Sequence, residues 1–195
     1  MRSDPSLAEV WKVYEVTKDC LKVTNRALRS DNEKLVGATN FVGSTRAETE
    51  AWIKNCHEET DRAVIVLLWT HFEIIIANFV QTQIEKLPET EFKTSAKKLV
   101  NKNGRDIERW KIGDVLDLLK DLLKGELNPK RLGDAKNIKK YRDWVAHRNP
   151  KNLPPSQTDP KTAYPILSGI LDVVQKTIEQ TQGKKGAPAA ATGET

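Results

Sequence analysis

Apolar residues recur along most of this chain in steps of three and four, the period of helices that each bury one face. From Leu7 the series continues through Val10, Tyr14, Thr17, Leu21, Thr24 and Leu28. Its threonines make that stripe a weak one. Ser6 and Glu9 stand just ahead with the spacing of a capping box, in which each side chain satisfies a free amide of the first turn. The segment V-G-A-T-N-F-V-G-S at 36–44 contains two glycines and reads as a loop. Thr45 and Glu48 form a second capping box, opening a long helix expected to reach Leu87 before Pro88. Its second half, A-V-I-V-L-L-W-T-H-F-E-I-I-I-A-N-F-V at 63–80, is apolar on most sides, as a central helix of a bundle is.

Residues 88–113 are basic and contain Asn103-Gly104, a turn signal, with a short helix expected around 92–100. The stretch D-V-L-D-L-L-K-D-L-L-K-G at 114–125 is an amphipathic helix stopped by Gly125. Val115, Leu118, Leu119 and Leu122 are expected inward, and Asp117, Lys120, Asp121 and Lys124 outward. Asn128-Pro129 then reads as a cap with proline in the first turn. That helix should end near Arg148, because Asn149 precedes a proline and so disfavours helical geometry. Residues 152–160 form a connection, and the last helix begins between Asp159 and Pro165 with Ile166, Ile170, Val173, Val174 and Ile178 as its core face. The tail from Gly183 is low in complexity and expected to be disordered. No strand pattern or internal repeat appears, so the fold class is all-α.

Composition narrows the classes. The chain has 195 residues, 38% of them hydrophobic and 30% charged, which supports one substantial domain with a soluble exterior. The opening M-R-S-D-P-S-L-A-E-V-W has no apolar run of signal-peptide length, making the cytoplasm the expected address. The 63–80 run approaches membrane-span length, but His71, Glu73 and Asn78 interrupt it and favour a buried helix over a span. Two cysteines, Cys20 and Cys56, are too few for a disulfide framework and are expected to be reduced and buried. Three histidines without C-x-x-C or H-x-x-x-H spacing give no expected metal site, and no cofactor is expected. Charge changes the picture more. Residues 1–92 carry 11 Lys+Arg against 15 Asp+Glu, whereas residues 93–195 carry 21 against 12. Within 130–151 eight basic residues face two acidic ones, a concentration suited either to a polyanion or simply to solubility.

The basic stretch contains Y-R-D-W-V-A-H-R-N-P at 141–150. On a helix, Asp143 and His147 are four apart and share a face, where a carboxylate can fix the imidazole tautomer. Arg142 lies about 140° round the helix from His147 and would reach it only along a loosened last turn. Lys139, Lys140 and Arg148 stand nearby as phosphate contacts. A base, a cation and phosphate anchors suit RNA cleavage by the 2′-hydroxyl, which requires proton transfer and positive charge on the phosphorane and no metal. One histidine cannot easily serve as both base and acid, but a two-fold dimer would supply two. The same residues also suit a plain helix end, with His147 against the dipole and Arg142 in an ordinary ion pair. Glu73, an acid within an apolar helix, needs a partner and is expected to help hold Arg142. A rim position for Glu73 is the alternative.

The stretch R-D-W-V-A-H resembles the R-x4–6-H signature of the HEPN superfamily, whose pattern places a polar residue after the arginine, here Asp143. The resemblance covers residues 60–180, with the apolar helix, the motif near a helix end and one amphipathic helix after it. It implies an up-and-down helical bundle at 45–182; residues 1–40 then read as an added N-terminal helix that the resemblance does not cover, and 183–195 as the tail. It further implies a homodimer with a composite cleft, in which Arg142 and His147 match the catalytic pair and Asp143 the residue that tunes them. Many members are metal-independent endoribonucleases of toxin–antitoxin or antiviral systems, so RNA and an antitoxin or regulatory protein are the implied partners. Others only bind RNA, nucleotide or protein. The branch silenced by nucleotide modification has tyrosine two positions after the histidine; Asn149 stands there in this chain. A third reading is a helical interaction protein using the 7–28 stripe. A DNA-binding regulator finds no helix-turn-helix pair.

Overall fold

The computed structural model describes residues 6–30, 37–86, 111–123, 125–147, 153 and 155–183. Among them are five helices and no strand: α1 Leu7–Arg29, α2 Arg46–Lys86, α3 Ile112–Leu122, α4 Pro129–His147 and α5 Pro160–Gly183. The fold is all-α. The expected helix at 92–100, the Asn103-Gly104 turn, the end of α4 at Arg148 and the tail from 184 lie outside the described residues.

Both capping boxes form. The Ser6 amide donates to Glu9 at 2.5 Å and the Glu9 amide to Ser6 Oγ at 3.2 Å. The Thr45 amide donates to Glu48 at 2.8 Å and the Glu48 amide returns to Thr45 Oγ1 at 3.3 Å. These bonds favour the charged carboxylates, and both glutamates have lowered pKa values as a result. Residues 37–44 form the expected loop, with Gly43 at φ 77°, a left-handed conformation open to glycine.

The chain divides into two compact units, one of residues 1–72 with 135–165 and the other of 73–134 with 166–195. In the first unit α1 packs on α2 and on the start of α5, so its inner stripe is taken up there. Leu7, Val10 and Tyr14 are buried, while Thr17, Leu21, Thr24 and Leu28 are half-buried. Tyr14 Oη donates to Asp61 at 3.0 Å, Lys18 Nζ meets the same carboxylate at 2.9 Å, and Trp11 stacks on Tyr164 at 4.7 Å. Ile65, Leu68, Trp69 and Phe72 of α2, Ile138 and Tyr141 of α4 and Ala163 of α5 complete this unit's core. The opposite face of α1 leaves Val13, Val16 and Val23 exposed. Cys20 and Cys56 are free thiols and both are exposed, which corrects the expectation of burial.

In the second unit Ile76 and Val80 of α2, Val115, Leu116 and Leu119 of α3, Leu132 of α4 and Leu167, Ile170 and Val174 of α5 form the core. α3 begins two residues before the expected Asp114, and Gly125 follows it with φ 92°. Leu116 is fully buried, whereas Leu118 and Leu122 are only half-buried. α2 is long and apolar enough to cross a membrane, and half of its most apolar stretch is buried in the fold.

Candidate functional site

The site is carried on α4, and its geometry follows from how that helix is seated. Asn128 caps the start by accepting the Lys130 amide at 2.9 Å, and Pro129 occupies the first helical position. Leu132, Ala135, Ile138, Tyr141 and Val145 recur at helical spacing, and all are buried. Tyr141 also stacks on Trp144, with ring centroids 5.9 Å apart. It lines one cavity with Arg62 of α2, which pairs with Glu58 and Glu59. Burial works against the Arg62 charge, but the Glu59 and Tyr141 acceptors outweigh it and raise the Arg62 pKa. The last two turns of α4 are thereby pinned on their inner side. That leaves Lys139, Arg142 and Asp143 half-buried beside the anchor and Lys140 and His147 exposed.

Arg142 Nη1 lies 3.1 Å from Asp143 Oδ1, and Lys139 Nζ lies 2.5 Å from Asp143 Oδ2. The carboxylate thus has a cation on each oxygen. Their side chains are 27%, 33% and 34% exposed for Arg142, Lys139 and Asp143, so water reaches the cluster without flooding it. The expected pairing of Asp143 with the imidazole is absent. Two cations hold the carboxylate on the Lys139 side, away from the imidazole. Among the described residues His147 makes no hydrogen bond or ion pair. It is the last residue of α4, where the helix's free carbonyls and dipole favour positive charge.

The sequence-derived site therefore comes together in part. Arg142, Asp143 and Lys139 meet; Lys140 points to solvent on the same helix; His147 stands open at its end. Arg148 lies outside the described residues. Glu73 is half-buried on α2 and belongs to the second unit. Two features escaped the sequence reading. One is the commitment of Lys139 to Asp143, for which the four-residue spacing was the available signal. The other is the approach of Arg62 to Tyr141, which brings together helices distant in sequence and leaves no local trace. A polar cavity of about 220 Å3 lies there, lined by Asp61, Arg62, Tyr141, Gln157, Thr158 and Asp159 among others. Among the described residues no group of three or more His, Cys, Asp or Glu side chains is set to hold a metal ion.

A comparison with known protein families, with characterised proteins and with solved structures finds no match to this chain. The functional reading rests on the residues themselves.

Proposed function

We propose that this chain is an endoribonuclease of the HEPN type that cuts RNA by attack of the 2′-hydroxyl and acts as a toxin or antiviral effector. The observation that carries the reading is the end of α4. There a guanidinium held by its neighbouring carboxylate shares the last two turns with an exposed, uncommitted imidazole. In this mechanism His147 takes the 2′-hydroxyl proton, or delivers one to the leaving 5′-oxygen. Arg142 neutralises charge growing on the phosphorane, and Asp143 holds the guanidinium at the angle that does so. A homodimer placing two such ends in one cleft supplies the base and the acid from different subunits. Lys140 and Arg148, with the basic second half of the sequence, hold the RNA backbone. An antitoxin or regulatory protein is the partner such an effector requires.

One observation favours a second reading, a module that binds RNA or nucleotide without cutting it. The Asp143 carboxylate lies on Lys139 and Arg142 and leaves the imidazole unoriented. RNA cleavage in excess EDTA, comparing the natural protein with folded His147→Ala, separates the two. Cleavage that leaves 2′,3′-cyclic phosphate ends and disappears in the variant supports the nuclease. Equal cleavage by both proteins places the activity elsewhere, and none by either across several RNAs leaves the binding module.

A further inference from the structure

We infer that Lys139 is a positioning residue: its ammonium holds the Asp143 carboxylate in the orientation that aims Arg142, and it is not a phosphate contact. The inference deepens the nuclease reading and rests on it for its catalytic consequence, while its structural half stands separately.

The bare alternative is that Lys139 and Asp143 form an ordinary surface pair that supports the helix. Three features of the geometry oppose it. First, Asp143 lies within the last turn and a half of α4, where the free carbonyls of the helix end disfavour an acid. Second, the pair runs lysine first and acid four residues later, the less stabilising order for such pairs. Third, Arg142 and Asp143 are adjacent in sequence, and adjacent helical side chains do not face each other. Their 3.1 Å contact therefore requires both side chains to turn sideways along the helix surface. A helix gains little from an acid placed so. An arginine gains a fixed direction, because the carboxylate that meets it is itself tied down on its other oxygen.

The same geometry sets Lys139 apart from the free phosphate anchors. One of its three ammonium donors is spent on Asp143, and a phosphate that drew the ammonium away would release Asp143 and with it Arg142. Lys140, one position on and exposed, has no such commitment among the described residues.

The test uses the full chain with Lys139→Met, Lys139→Arg and, as the contrasting substitution, Lys140→Met. Turnover and KM are measured separately, together with the salt dependence of RNA binding and the side-chain Nε–H resonance of Arg142. For Lys139→Met the inference expects kcat to fall about tenfold, as a misaimed catalytic group does. KM should stay within about twofold, and the salt slope should be unchanged. The Arg142 resonance should shift or broaden, and Lys139→Arg should restore both kcat and the resonance. Lys140→Met should instead weaken binding and reduce the salt slope by about 0.7, the loss of one phosphate contact on single-stranded RNA. A Lys139→Met protein with native kcat and Arg142 resonance, but a smaller salt slope, would overturn the inference in favour of a phosphate contact. Should the natural protein cut no RNA, the nuclease reading fails by itself. The Arg142 resonance then decides: a shift in Lys139→Met sustains the positioning role, and an unmoved signal sinks it.

Discussion

The Asp61 carboxylate accepts from both Tyr14 and Lys18 and so ties α1 to α2. Burial, then the hydrogen bond and charge of Asp61, push the Tyr14 hydroxyl well above its ordinary pKa of 10.0. Tyr14→Phe removes one donor and leaves Lys18 in place, so it should cost about 1 kcal/mol in urea unfolding. Asp61→Ala strands both donors and should cost about 1–3 kcal/mol. A double-mutant cycle returning no coupling between the two would contradict the contact. His57 stands nearby on α2. Burial, then the charges of Lys18 and Lys22, lower its pKa below 6.5, with Asp61 opposing them. The unfolded chain then takes up the proton first, so stability present above pH 6.5 is lost as pH falls through that value toward the folded pKa. Melting temperature followed over roughly pH 7.5 to 5.5 should decline, and His57→Gln should remove that part of the slope. An identical slope in the variant would assign it to other groups. At this scale the closeness of Arg142 to Asp143 and the place of His147 at the helix end were legible in the sequence because they are local, within six residues of one helix. Which partner Asp143 takes was not. Helical spacing offers it Lys139 and His147 equally, and only side-chain geometry decides for the two cations.

Elements were legible wherever their signal was chemical and near. Ser6, Thr45 and Asn128 each mark a helix start, because a polar side chain meets a free amide within two or three residues. Faces were harder. On α5 the expected inner residues Ile170 and Val174 are buried, but Ile166 and Val173 are half-buried, while Ala163 and Leu167, outside the expected set, are fully enclosed. A run rich in isoleucine and valine carries apolar residues on adjoining faces, and the periodic pattern alone cannot choose among them. Pro165 also lies inside α5 rather than at its start, since Asp159 already caps the helix by accepting the Thr162 amide at 3.0 Å. Gly169 on the same helix gives a sharper test. A Cβ there would lie 2.6 Å from Arg131 Nη1, which now donates to the Gly169 carbonyl at 3.3 Å. The clash is with the free end of a long exposed side chain, which can swing aside. Replacing a mid-helix glycine by alanine gains about 1 kcal/mol. Losing one exposed hydrogen bond returns about 0.5 kcal/mol of that. Gly169→Ala should therefore stabilise the protein slightly in thermal unfolding, and a clear loss would show that Arg131 is fixed where it lies.

At the scale of the molecule the sequence and the fold divide the chain differently. Charge separates an acidic first half from a basic second half, but α2, α4 and α5 each contribute residues to both compact units. Long-range contacts set such a division, and no local pattern carries it. Beyond one chain, the proposed two-fold cleft makes a demand that a single-chain site does not. It would hold two Arg142 and two His147 side chains, with one imidazole as the base and its partner's as the acid. A heterodimer of the natural chain with His147→Ala keeps both guanidinium groups but lacks one of the two proton carriers. Co-refolding equal amounts places about half of the dimers in that mixed state and about a quarter in the natural one if pairing is random. Activity per natural chain should then fall to about half, and heterodimers separated by tag should cut RNA at least about a hundredfold more slowly than the natural dimer. Heterodimers that cut at about half the natural rate would confine the chemistry to one subunit. The one exposed imidazole would then have to serve in turn as base and acid, a requirement that sets a slower limit on the reaction.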